Sequence, residues 1–138
     1  MNKTEATPLP FQVMGALGAI ASRLEAALSP MGLSLAKFRV LSRLVSAGEP
    51  LALSTLAEHS SCVRSNITQL VDRLEADKLV VRVNDPHDRR LVLAAITGEG
   101  RARHDAAVEA LARVERDLFP QSQRETLRRL LSVLQPES

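Results

Sequence analysis

Aromatic side chains are nearly missing from this sequence: Phe11, Phe38 and Phe119 stand alone, with no Trp and no Tyr. A protein that holds single strands by stacking bases on rings needs more of them, so that class loses ground. Cysteine is just as scarce. The lone Cys62 permits no internal disulfide and no cysteine metal cluster, which suits a reducing compartment. His59, His87 and His104 lie far apart and lack the paired spacing of a metal-binding helix, so neither a metal nor a cofactor is expected. There is no phosphate-cradling glycine loop, and no nucleophile with a base at a recognisable spacing; an enzyme is not expected. No apolar run approaches a membrane span and no charged-then-apolar leader opens the chain, which predicts a soluble, cytoplasmic protein.

What the sequence does have is a small, localised basic excess. The net charge is +2. Residues 61–103 hold eight Arg or Lys against six Asp or Glu, so this segment accounts for the whole surplus. At 138 residues the chain fits one domain with a modest core.

Apolar periodicity divides the chain. Val13, Leu17, Ile20, Leu24 and Leu28 recur at helical spacing, predicting a first helix over Phe11–Leu28 that Ser29-Pro30 ends. Ser34 is placed to cap a second helix bearing Phe38, Leu41 and Val45, with Gly48 as its stop. A short third helix is expected over Ser54–His59, a turn at Ser60-Ser61, and a fourth helix over Val63–Asp77. The rhythm then changes. Leu79–Val83 and Leu91–Ile96 are rich in β-branched residues and flank a turn-forming run from Asn84 to Arg90, which predicts a two-stranded hairpin with a charged tip. Thr97 caps a long fifth helix, Pro120 interrupts it, and Leu127, Leu130, Leu131 and Leu134 mark a final helix. Short helix, turn, helix and hairpin in that order is the plan of a winged helix-turn-helix.

Two surfaces in that plan suit duplex DNA. On the fourth helix, Val63, Ile67, Leu70, Val71 and Leu74 form the apolar stripe, which leaves Ser65, Thr68, Gln69, Asp72 and Arg73 opposite and Asn66 at the edge. Amides pair bidentately with adenine edges, and hydroxyls reach bases or phosphates. An ordinary surface helix would also be amphipathic, but it would more commonly show Lys and Glu there. The second surface is the hairpin tip, where His87, Arg89 and Arg90 protrude and Asp88 can brace the Arg90 guanidinium. Paired arginines on a turn stiffened by Pro86 suit a minor groove. A solvated charged loop is the plain alternative; adjacency to the helix-turn-helix argues against it.

Leu56-Ala57-Glu58, the run from Ile67 to Glu75, Leu79-Val80, Asp85-Pro86-His87-Asp88-Arg89-Arg90 and Ile96-Thr97-Gly98-Glu99-Gly100 together resemble the MarR family, in order and spacing, over about Leu33 to Gly100. The resemblance implies a mostly α fold: a winged helix-turn-helix lobe at 33–96, with dimerisation helices at 1–30 and 97–138. It further implies a homodimeric repressor on a pseudo-palindromic operator. The implied DNA contacts are Arg64, Ser65, Asn66, Thr68, Gln69 and Arg73 from the helix, with His87, Asp88, Arg89 and Arg90 from the wing. The family's cleft between lobe and dimerisation helices often accepts small aromatic acids or phenols, and Met14, Arg23, Met31, Phe38 and His104 are the candidates to line it.

Three positions depart from the family pattern. Lys78 stands where glycine usually closes the recognition helix, and a left-handed Lys costs about 1 kcal/mol. Val63 replaces a common capping Ser. Leu91–Ile96 is apolar on both faces, so Leu91, Leu93 or Ala95 is expected to pack on something, such as the fifth helix.

Two rival functions remain open at this level. One is a helical dimeric protein-interaction module that has lost DNA contact. The other is a redox-sensing regulator, because the dipole of the fourth helix and nearby Arg64 could lower the Cys62 pKa. The family's oxidant sensors instead carry their cysteine near the first helix, and free cysteines are mostly buried and structural. Alkylating Cys62 is therefore expected to leave duplex affinity unchanged; a marked loss would favour the redox reading.

Overall fold

Pro8 and Pro10 set the start of the first long helix, α1 (Leu9–Leu28), where a missing N–H and a fixed φ cost nothing. The computed structural model describes residues 6–60 and 64–135. A 3-10 turn, Ser29–Met31, follows α1 at the predicted Ser-Pro break. α2 (Leu35–Ala47) then begins under two caps: Ser34 Oγ accepts the Lys37 N–H at 3.1 Å, and Glu25 Oε1 of α1 accepts the Leu35 N–H at 3.1 Å. These satisfy two of the donors that a helix start leaves unpaired, and the second one ties α1 to α2.

The remaining elements are β1 (Leu51–Ala52), α3 (Leu53–Ser60), α4 (Arg64–Ala76), β2 (Val80–Asn84), β3 (Val92–Ile96), α5 (Gly98–Leu118) and α6 (Gln121–Leu134). The expected two-stranded hairpin is a three-stranded antiparallel sheet in the order β1-β3-β2. Leu51 pairs with Ala94, and Val80 pairs with Ile96 at the other edge. Two residues are too short to announce a strand in sequence, so β1 was illegible there. As the middle strand, β3 is hydrogen-bonded on both edges and its Ala94 is fully buried. Leu91 lies just outside it and is 44% exposed, rather than packed on α5, while Leu93 and Ala95 are half-buried.

The core gathers Leu28, Leu33, Val40, Leu41 and Leu44 with Leu56, Ile67, Val71, Leu74, Leu79, Val80, Ala94 and Ala107. Each Leu, Ile or Val removed from water there stabilises the lobe by about 1.5–3 kcal/mol. Most of this core belongs to the helix-turn-helix and sheet, with Leu28 of α1 and Ala107 of α5 closing it. Leu9, Phe11, Met14 and Leu17 of α1 remain exposed, as do Leu130, Leu131, Val133 and Leu134 of α6, in which no residue is buried.

The passage from α4 into the sheet is tightly specified. The Leu79 N–H donates to Leu74 O at 2.9 Å and the Lys78 N–H to Glu75 O at 3.0 Å, a Schellman closure with Leu74 and Leu79 both buried. Such a closure needs a left-handed residue at its centre, and Lys78 supplies it at φ 63°. Thr97 Oγ1 accepts the Gly100 N–H at 3.0 Å to cap α5, and its own hydrogen is directed to Lys78 O (2.8 Å) and Leu79 O (3.1 Å). A Cβ on Gly100 would lie 2.1 Å from Leu79 O. The Thr-x-x-Gly spacing is thus a packing requirement of this joint.

Two stability changes of opposite sign follow. Gly100→Ala is expected to destabilise the fold by about 1–3 kcal/mol by overpacking against backbone. Lys78→Gly should stabilise it slightly, by roughly 0.5 kcal/mol, because relief of left-handed strain outweighs the added freedom of the unfolded chain. Denaturant titration of both variants reads the difference directly.

Candidate nucleic-acid interface

The sequence of α4 places Ile67, Val71 and Leu74 in the core, all fully buried, with Leu70 packed against it. Helical geometry then turns Asn66, Thr68, Gln69, Asp72 and Arg73 outward, and all five are exposed. Arg64 and Ser65 form the first turn of α4; their side chains lie outside the description, and Cys62 and Val63 lie outside the described residues altogether.

The wing tip is built by short side-chain bonds. Asp85 Oδ1 accepts the backbone N–H of His87 at 2.7 Å and of Asp88 at 3.3 Å, which folds the turn on itself. Asp85 N–H to Leu91 O and Leu91 N–H to Asp88 O, each 3.0 Å, close the loop beneath it. Asp88 Oδ1 accepts both the Arg90 backbone N–H (3.1 Å) and its Nε–H (3.3 Å). The Arg90 side chain is nevertheless 93% exposed, so the brace orients the guanidinium without hiding it. His87 and Arg89 are exposed beside it.

Helix and wing are joined by a residue that sequence reasoning passed over. Arg82 of β2 donates from Nη1 to Glu75 Oε1 at 2.9 Å and from Nη2 to Asp72 Oδ1, and its backbone N–H reaches Glu75 Oε2 at 3.0 Å. Hydrogen bonding to Asp72 is the main cause that holds the Arg82 pKa above its already high ordinary value, so this cation persists at every physiological pH. Asp72 belongs to this joint rather than acting only as part of an open polar face. The usable signal was the pair Asp72 and Glu75, one turn apart on the helix, with a single cation in the following strand.

A family model described as MarR family matches residues 31–91. The HTH-type transcriptional repressor Rv2887 of Mycobacterium tuberculosis is 32% identical over 134 residues, which span 94% of this chain and 96% of that protein. The chain belongs to the MarR family. CouR from Rhodococcus jostii RHA1, solved bound to p-coumaroyl-CoA, shares the fold with a TM-score of 0.81 at 29% identity, over 99% of each chain. The transcriptional repressor CouR bound to a 23-mer DNA duplex gives a TM-score of 0.83 at 25% identity, over 96% of this chain and 95% of that one. Within this MarR-family fold, no described helix is long and apolar enough to cross a membrane.

Of the five residues suggested for an effector cleft, Phe38 and His104 are brought into contact, while Met31, Arg23 and Met14 have other surroundings. Phe38 and His104 stack on each other, ring centroids 5.4 Å apart and 4° from parallel, which fills the space between α2 and α5 with their own rings. Met31 lines a shallow pocket with Pro30, Gly32, Glu99, Ala102, Arg103 and Ala106. Arg23 instead faces Asp117 at 3.8 Å, and Met14 is exposed on α1. Arg103 is the pocket residue that sequence reasoning missed: it donates to Met31 O at 3.0 Å and sits 3.4 Å from Glu99. Its signal was faint, since an arginine on an exposed helix is ordinary.

Proposed function

We propose that two copies of this chain bind a pseudo-palindromic duplex operator as a ligand-responsive repressor in the cytoplasm. The observation that carries this reading is a braced, exposed Arg90 on a wing whose strand is tied through Arg82 to the helix that presents an exposed polar face. In this reading Arg64, Ser65, Asn66, Thr68, Gln69 and Arg73 work in the major groove, where amides and arginines discriminate base edges. His87, Asp88, Arg89 and Arg90 work at the adjacent minor groove, whose negative potential draws an extended guanidinium. Residues 33–96 form the binding lobe, and 1–30 with 97–138 form the dimerisation helices.

The dimer is supported by the apolar side chains left bare on α1 and α6, since patches of that kind mark association surfaces. A two-fold dimer presents two recognition helices about one helical turn apart, which makes operator symmetry a consequence of protein symmetry. The pocket lined by Met31 and Arg103 lies where the 3-10 turn meets α5. A small aromatic or phenolic effector seated there would favour one lobe spacing over another and shift the population away from the DNA-binding form. The relationship to CouR, solved both with p-coumaroyl-CoA and with DNA, supports an effector-responsive repressor.

Selection of bound duplexes from a random pool is expected to return a palindromic consensus with half-sites about 10 bp apart. On the selected duplex, Arg90→Ala should cost about 1–3 kcal/mol, and Gln69→Ala should relax base preference at one position of each half-site. Binding should also weaken steeply between about 50 and 200 mM salt. A protein-interaction module would show no duplex binding to titrate, and an Arg90→Ala variant of full affinity would remove the wing from the interface.

A further inference from the structure

The C-terminal half of α4 carries Asp72 and Glu75, and Asp77 follows directly after it: three carboxylates at the end of the helix proposed to approach a polyphosphate. Each is met by a cation from another element. Lys37 of α2 contacts Asp77 at 2.9 Å, while Arg82 of β2 serves both Asp72 and Glu75. These groups are partly exposed, and exposed ion pairs add little to stability. Geometry is what distinguishes Arg82. β2 is an edge strand, so its outer N–H groups lack a ladder partner, and Glu75 uses one oxygen for the Arg82 N–H and the other for its guanidinium. Three hydrogen bonds therefore cross one joint, and the planar fork admits only one orientation of strand against helix. Asp85, where the tip begins, stands three residues further on, about 10 Å along an extended strand. A small change of angle at Arg82 is thus magnified at Arg90.

We infer that Arg82 is a positioning residue for duplex recognition: its clamp on Asp72 and Glu75 holds the Arg90-tipped wing at a fixed angle to α4, so that the two groove contacts form together. The inference rests on the DNA-binding reading above. Arg82 itself touches no base or phosphate in this scheme; it acts through the wing.

A double-mutant cycle on the duplex recovered by random-pool selection tests it. Arg90→Ala is expected to weaken binding about 10-fold in the unaltered chain, and less than about 2-fold once Arg82→Gln has freed the wing. Arg82→Gln alone should lose about 5- to 10-fold with α4 base preference retained, because only the wing contact is released. Arg82→Lys keeps the charge without the fork and should behave like Arg82→Gln. It also carries the cycle if Arg82→Gln fails to fold, as thermal melting would reveal. A merely structural role lowers affinity through the folded fraction and leaves the Arg90→Ala ratio unchanged. Equal Arg90→Ala losses in both backgrounds overturn the clamp and leave DNA binding standing. A silent Arg90→Ala in the unaltered chain removes the wing contact itself, and the positioning role falls with it.

Discussion

The carbonyl of Leu79 is the point on which the lobe is assembled. Its residue ends α4 through the N–H bond to Leu74 O, begins the path into β2, and buries its side chain completely. Its oxygen accepts the Thr97 N–H at 3.0 Å and the Thr97 hydroxyl, which fastens the exit of β3 and the cap of α5 to the same spot. Gly100 leaves just enough room for that approach. Four elements therefore converge on one residue, and the direction in which the hairpin leaves α4 follows from it. A left-handed Lys78 is tolerated because the surrounding bonds over-determine its conformation.

Electrostatics refine what that joint sets up. The recognition helix is acidic towards its C-terminus, yet the acids face cations supplied by α2 and β2 rather than open solvent alone. The polar positions nearer its N-terminus, Asn66, Thr68 and Gln69, carry no charge and keep their exposure. At the tip the same device recurs on a smaller scale, with Asp88 orienting Arg90 while leaving it outside. Acidic side chains in this lobe thus direct basic ones, and their own repulsion of a phosphate backbone is muted.

The apolar surface is divided between two purposes. Leucines of α2, α3 and α4 close a core within the chain, whereas those of the first half of α1 and the end of α6 remain more than half exposed among the described residues. Helical periodicity treats both sets alike, because spacing reports only that a face wants to leave water. A chain whose terminal helices are unsatisfied alone is consistent with the proposed dimer, and such a dimer couples lobe spacing to anything that alters the packing of α1 and α5. Glu25 on the α2 N-terminus is one hydrogen-bonded tie across that boundary, and Arg103 on the Met31 carbonyl ties α5 to the turn that follows α1.

By itself the sequence determined the order of elements, the caps at Ser34 and Thr97, the left-handed burden on Lys78, the outward residues of α4 and the brace of Asp88 on Arg90. All of these are contacts between neighbours within a few positions, where periodicity, capping preference and turn chemistry act directly. Only the tertiary structure decided that β1 adds a third strand, that Asp72 and Glu75 belong to Arg82, that Phe38 and His104 occupy each other's space, and that Gly100 must be bare before Leu79. Those pairings join residues from 7 to 66 positions apart. Which long-range partner a side chain meets depends on how packed elements cross, a property of the folded whole that local spacing does not encode.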